Sequence, residues 1–243
     1  MKPRIAIPEP CSYDLEYSGR ALPPYLQAVE AAGGEPVLIP LKSSPEEIAR
    51  SVASCAAILL PGSKADVDPQ KYNAEKHEKT APADTLRDSA DELLLQDAYN
   101  LRKPVFGICY GLQSLNVWRS GTLVQHIESK VNHSPGTKVE NAHQVVVTAD
   151  SLLGSEIAGG QIRNTVPVNS SHHQSADVVG DGLRAVAHSA EDNVIEAIEG
   201  TTPGHYVLAV QWHPERSFEQ DQISSNLFKT FIEAARQWSV ERA

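Results

Sequence analysis

Two short runs hold the residues of this chain best suited to covalent chemistry. They are Gly107-Ile108-Cys109-Tyr110-Gly111 and, a hundred residues later, Gln211-Trp212-His213-Pro214-Glu215. The first follows the apolar Val105-Phe106 and precedes Leu112-Gln113, which reads as a strand, a sharp turn and a helix. A thiol placed there sits at a helix N-terminus, where partial positive charge favours the thiolate. Glycines at −2 and +2 remove the side chains that such a turn could not hold, and leave the apex residue in a strained conformation. In the second run, side chains at i and i+2 of an extended segment share a face, so His213 and Glu215 can orient one another. Pro214 biases His213 toward extended geometry and ends the strand there. Taken singly, each residue has a plain structural alternative: a buried cysteine, a satisfied histidine at a strand end, a solvated carboxylate. Together, at one sheet edge, they suggest a Cys-His-Glu hydrolytic site.

The elements that must position these groups alternate between strand and helix through the first half. Strands are expected at 4–8, 36–39, 56–60 and 104–108, with helices at 22–32, 45–52 and 85–102. Gly33-Gly34 marks the first helix stop, and Pro45 opens the second helix. Such alternation is the mark of a mainly parallel sheet with helices on its faces. The second half differs, with strands expected at 144–148, 183–188, 194–198 and 207–211 and little helix between them. These read as an antiparallel or mixed extension of the sheet. A closing helix is expected at 225–238, with Phe228, Phe231 and Trp238 as core residues at helical spacing. The polar segment 62–84 is too long for an ordinary connection. It follows a strand of the parallel half, so it belongs at the carboxyl edge, where such folds place ligands. No repeat or linker interrupts residues 1–243, and one α/β domain is expected.

Composition narrows the function classes. Acidic residues outnumber basic ones 31 to 21, for a formal charge of −10. No Lys/Arg-rich run appears, so nucleic acid is not an expected partner. The first residues lack the apolar stretch of a signal peptide, and an ordinary membrane span is excluded by the absence of about 18 consecutive apolar residues. Three well-separated cysteines do not form a disulfide framework or a zinc pattern. Cys55 reads as core, Cys11 carries no clear signal, and a cytoplasmic location fits. No phosphate-binding glycine motif occurs, so no nucleotide cofactor is expected. Adjacent histidines on a strand point oppositely, so His172 and His173 are not expected to share a metal, and no metal is expected.

Four ordered motifs carry a resemblance that spans nearly the whole chain. They are Leu60-Pro61-Gly62 with Asp66-Val67-Asp68-Pro69 and Tyr72, the Cys109 elbow, Asn169-Ser170-Ser171-His172-His173-Gln174, and Gln211-Trp212-His213-Pro214-Glu215. With these the chain resembles class I glutamine amidotransferase-like proteins, and within them the γ-glutamyl-γ-aminobutyrate hydrolase-like cysteine hydrolases. The resemblance implies a flavodoxin-like three-layer α/β/α fold, mostly parallel with an antiparallel extension. It implies that Cys109 is the nucleophile, His213 its base and Glu215 the group orienting His213. It further implies backbone oxyanion donors at Gly62 and Tyr110, and a glutamyl head bordered by Gln113, Ser171, His172, His173 and Gln174.

Three features depart from the hydrolase branch. Ser63 stands where a second glycine is usual, with one extra residue before Asp66, and Tyr110 stands where arginine often follows the cysteine. Trp118-Arg119-Ser120-Gly121-Thr122 also departs from the usual Leu-Gly-Gly-Thr. The expected activity is hydrolysis of a small γ-glutamyl amide through a thioester, as in polyamine breakdown. The alternatives are a glutaminase subunit feeding ammonia to a partner synthetase, and a silent binding protein. A homodimer would be unsurprising.

Overall fold

The computed structural model describes residues 2–158 and 165–242. In chain order the elements are β1 (Arg4–Pro8), α1 (Leu15–Ala31), β2 (Glu35–Ile39), α2 (Pro45–Ala53), β3 (Ala57–Leu60), α3 (Thr85–Leu101), β4 (Val105–Ile108), α4 (Tyr110–Trp118), β5 (Leu123–Val124), β6 (His143–Val147), α5 (Leu152–Ala158), β7 (Thr165–Val168), β8 (Ser175–Ala176), β9 (Leu183–Ser189), β10 (Ile195–Gly200), β11 (Val207–Val210) and α6 (Gln222–Val240). Among the described residues nine strands form one sheet in the order β2-β1-β3-β4-β11-β10-β9-β6-β7. The first five run parallel and the rest join by antiparallel pairings, as the change of pattern at mid-chain predicts.

Alternation along the strands divides the core into two layers. Ile5, Ile7, Leu59, Phe106, Ile108, Leu208 and Val210 face α1 and α6, where Phe106 packs edge-on against Phe228 with ring centroids 5.4 Å apart. Ala6, Ile58, Leu60, Val105 and Ala209 face Ile48 and Val52 of α2, Leu94 and Leu95 of α3 and Leu112 and Leu115 of α4. This is the expected three-layer arrangement, with each buried parallel strand apolar on both faces.

Two helices begin earlier than sequence periodicity places them. α1 starts at Leu15 instead of 22, because Asp14 accepts the Tyr17 N–H at 2.9 Å and caps it. Pro23 and Pro24 then lie inside the helix, tolerated because Tyr25, Ala28 and Val29 anchor its other face in the core. α6 starts at 222, capped by Asp221 through the Ile223 and Ser224 N–H groups. β7 is absent from the expectations because it contains Pro167. It forms the sheet's last strand, and an edge is where a missing N–H is tolerated.

α3 carries more than the apolar stripe its spacing suggests. Arg87 is fully buried, and it donates to the Pro61 carbonyl at 2.7 Å, to the Pro10 carbonyl at 3.1 Å and to Asp91 at 2.7 Å. One guanidinium thus ties the segments that leave β1 and β3 at the carboxyl edge. Replacing Arg87 by Met leaves Asp91 as an uncompensated buried charge. The expected result is a loss of about 3–5 kcal/mol, read from urea unfolding midpoints at constant m.

Candidate active site

β3, β4 and β11 are adjacent and parallel, with Leu60 paired to Gly107 and Ile108 to Val210. Their carboxyl ends therefore open on one edge, and the loops they release carry Gly62, Cys109 and His213. Cys109 is held by its own N–H, which donates to the Val210 carbonyl at 2.8 Å. Its backbone is at φ +53°, ψ −104°, a strained conformation for a residue with a side chain and the mark of a nucleophile elbow. The glycine spacing has a direct cause. A Cβ on Gly111 would lie 2.2 Å from the Leu60 carbonyl oxygen, and one on Gly107 would lie 2.9 Å from the Gly111 backbone.

His213 is clamped on both sides. Its N–H donates to the Asn169 side chain at 2.9 Å, and its carbonyl accepts from the same amide at 2.8 Å. Its Nδ1 lies 2.8 Å from the Glu215 carboxylate. That carboxylate can only accept, so Nδ1 carries the proton, and Nε2 is left as a buried lone pair with no partner among the described residues. Beside Gly62, a single point lies 3.1 Å from His213 Cε1 and 3.6 Å from Cys109 Cβ. Cys109 and His213 are therefore both brought to this glycine.

Electrostatics differ from the sequence expectation. Burial pushes the Cys109 thiol up to about 12, against the opposing pull of Arg216 and of the Tyr110 N–H at the start of α4. Burial also lowers His213 below its ordinary value, despite Glu215. Burial works the other way on Glu215, yet His213, the hydrogen bond between them and Arg216 hold it ionised. Both shifts favour the uncharged forms of thiol and imidazole, where the helix position alone suggests a thiolate.

The pocket over Cys109 is small, about 180 Å³. Ser63, Lys64, Ala65 and Asp66 form one wall, and Gln113 with the strap 171–174 forms another. All five residues expected around a substrate head line it, but they point differently. Ser171 accepts from Arg216 at 2.8 Å, and His173 pairs with Asp66 at 3.0 Å. His172 turns its imidazole away into a separate buried cluster with His133, His143 and Glu196. Of the two expected oxyanion donors, the Tyr110 N–H points toward the sulfur. The Gly62 N–H is engaged by the Tyr25 hydroxyl at 3.1 Å, and Gly62 does not line the pocket, whereas Ser63 does. Tyr25, Asn169 and Arg216 were not singled out from sequence as site residues. Only Asn169, inside a quoted motif, carried a local signal.

The model of the Peptidase C26 family matches residues 13–215. The chain belongs to that glutamine amidotransferase-like family. A Mycobacterium tuberculosis protein provisionally named a glutamine amidotransferase is 37% identical, the match covering 87% of this chain and 66% of that one. The γ-glutamyl-γ-aminobutyrate hydrolase of Escherichia coli K12 is 32% identical across 90% of this chain and 87% of its own. A Thermoplasma acidophilum structure, provisionally named as a GMP synthase component, superimposes with a TM-score of 0.69 at 15% identity, covering 100% of this chain and 99% of that one. At that identity the likeness establishes the fold. Among the described residues no helix is long and apolar enough to cross a membrane.

Two outcomes follow from the geometry. Alkylation of Cys109 by iodoacetamide should keep rising up to about pH 10, because reactivity tracks the thiolate fraction. A plateau near neutrality would instead reveal a preformed thiolate–imidazolium pair. Gly111→Ala should destroy the elbow, seen as lost Cys109 alkylation under native conditions and a lowered Tm.

Proposed function

We propose that this chain is a cysteine hydrolase that cleaves the γ-glutamyl amide bond of a small γ-glutamyl compound. The observation that carries this reading is the meeting of the Cys109 elbow and the Glu215-oriented imidazole of His213 at Gly62. His213 Nε2 takes the thiol proton as sulfur attacks the δ-carbonyl. The tetrahedral oxyanion is held by the Tyr110 N–H and, in place of Gly62, by the Ser63 N–H, since Ser63 faces the pocket. Collapse breaks the C–N bond, and His213 returns the proton to the departing amine. Water then gives a proton to His213 and attacks the thioester. The γ-carboxylate is released and the thiol is restored.

A neutral resting pair suits this sequence, because proton removal and attack are coupled and a base with a lowered pKa stays unprotonated near neutral pH. The small pocket fits a glutamyl head with the leaving amine outside. The Escherichia coli relative acts, by its name, on γ-glutamyl-γ-aminobutyrate, which supports a γ-glutamyl amine as substrate. Relatives named as amidotransferases support a second reading, a glutaminase that serves a synthetase. In either case the reaction needs no cofactor, and a reducing cytoplasm would keep the thiol competent.

A panel of γ-glutamyl amines, γ-glutamyl amino acids and glutamine, with amine and ammonia measured separately, decides between them. Purified protein alone should release amine from a γ-glutamyl amine. Ammonia from glutamine, seen only after a partner is added, would favour the second reading. No turnover of any panel member would favour a silent binding protein. Cys109→Ala should abolish turnover, and Glu215→Gln should lower kcat by about 10²–10⁴ by losing the tautomer that leaves Nε2 bare. His213 must be neutral to accept the proton and its pKa is lowered. The acid limb of kcat/KM should therefore have its midpoint below the ordinary histidine value of about 6.5, with activity lost as pH falls through it.

A further inference from the structure

The imidazole of His172 leads from the pocket wall into a buried cluster that the proposed chemistry does not use. His133 and His172 are each 4% exposed and Glu196 is fully buried, yet they come from a loop, the strap before β8, and β10. His133 Nδ1 lies 3.3 Å and His172 Nε2 3.5 Å from the same Glu196 oxygen. One ligand atom from each of the three residues falls within 4.8 Å of the others.

The proton positions are set from outside the cluster. His172 Nδ1 lies 2.9 Å from the Gln174 carbonyl, which can only accept, so Nδ1 bears the hydrogen and Nε2 is a lone pair. His133 Nε2 lies 2.9 Å from the Asp192 carboxylate, which leaves Nδ1 as the ring nitrogen that faces Glu196. Two ring nitrogens thus converge on a carboxylate in a buried spot, and among the described residues His133 Nδ1, His172 Nε2 and Glu196 Oε2 have no hydrogen-bond partner. Acceptors without a donor are costly there unless a cation joins them. Ligating histidines characteristically donate their other ring N–H to a carboxylate or a backbone carbonyl, and both partners are present here. His143 Nε2, 2.9 Å from the same carboxylate, orients it in the same way. For metal–ligand bonds near 2.0–2.1 Å, tetrahedral ligands stand about 3.3–3.4 Å apart, close to the two separations observed.

We propose that His133, His172 and Glu196 form a three-ligand site for one divalent cation of the zinc class. Two imidazoles and a carboxylate match that ion's ligand preference. The site would brace the strap 169–174. Asn169 of that strap clamps His213 and His173 lines the pocket, so the ion would support the active site without touching the reacting atoms. Sequence reasoning set a metal aside because His172 and His173 point oppositely. They do, but the other ligands arrive from a distant loop and from β10.

The test uses the full chain, stripped with a chelator and titrated with Zn²⁺ by calorimetry. Bound metal is counted by mass spectrometry after dialysis, and Co²⁺ serves as a visible-absorption probe. About one equivalent per chain, tetrahedral-type Co²⁺ bands and a Tm that rises with Zn²⁺ concentration are expected. Uptake should persist in Cys109→Ser and vanish in His172→Gln and Glu196→Gln. Should those two variants misfold, Asp192→Asn, which keeps the side chain's size and the ligand set while altering the partner of His133, should weaken binding by about 10–100-fold. No saturable uptake by the wild type, unchanged affinity in Asp192→Asn, or loss of uptake in Cys109→Ser would each overturn the site. So would NMR showing His133 protonated on both nitrogens with Zn²⁺ present.

Discussion

The site depends on a single backbone-to-backbone approach, the Leu60 carbonyl at the end of β3 lying against Gly111 in the first turn of α4. No side chain fits between them. That contact presses the start of α4 onto the sheet, and Gly107 permits the same closeness from below. The chain can satisfy both only by turning sharply at Cys109, which is why a residue with a side chain is held at positive φ. Because β3, β4 and β11 are parallel neighbours, the same edge then receives the turn after β3 and the histidine after β11. The glycines thus determine where the sulfur stands, and strand adjacency determines what it meets.

Burial, more than helix position, sets the charge state of that sulfur. A helix N-terminus favours an anion by typically about 0.3–1 kcal/mol. A rise of the Cys109 pKa from 9.0 to about 12 corresponds to roughly 4 kcal/mol in the opposite sense. Desolvation wins, and the same desolvation keeps His213 neutral. The carboxyl edge is nonetheless densely polar beneath its surface. Arg87 holds the Pro61 and Pro10 carbonyls, its guanidinium lies 4.8 Å over the Tyr110 ring, and the Tyr110 hydroxyl donates to Asp88. Tyr110 therefore presents its backbone to the sulfur and buries its ring.

Much of the parallel half was legible in the sequence. Residues 4–8 form β1 as expected, and β2, β3, β4, α2 and α3 fall within a residue or so of the expected bounds, because buried strands and amphipathic helices write their period into the chain. Errors arose where distant contacts overrule local signals. Two prolines obscured the first turns of α1, Pro167 hid an edge strand, and Arg87 on a helix surface gave no hint of total burial. The hydrogen bond from the Gly62 N–H to the Tyr25 hydroxyl, 37 residues away, likewise has no local signal.

By itself the sequence determined the elbow, the paired His213 and Glu215, and the layered α/β plan. Each rests on neighbours within a few residues, through glycine sterics, i, i+2 alternation or hydrophobic period. Tertiary structure alone decided that burial raises the thiol's pKa, that Ser63 lines the pocket beside Cys109, and that His172 turns from the pocket wall toward His133 and Glu196. Those outcomes depend on desolvation and on lone pairs brought together across many residues of chain, and neither quantity exists until the sheet has closed around them.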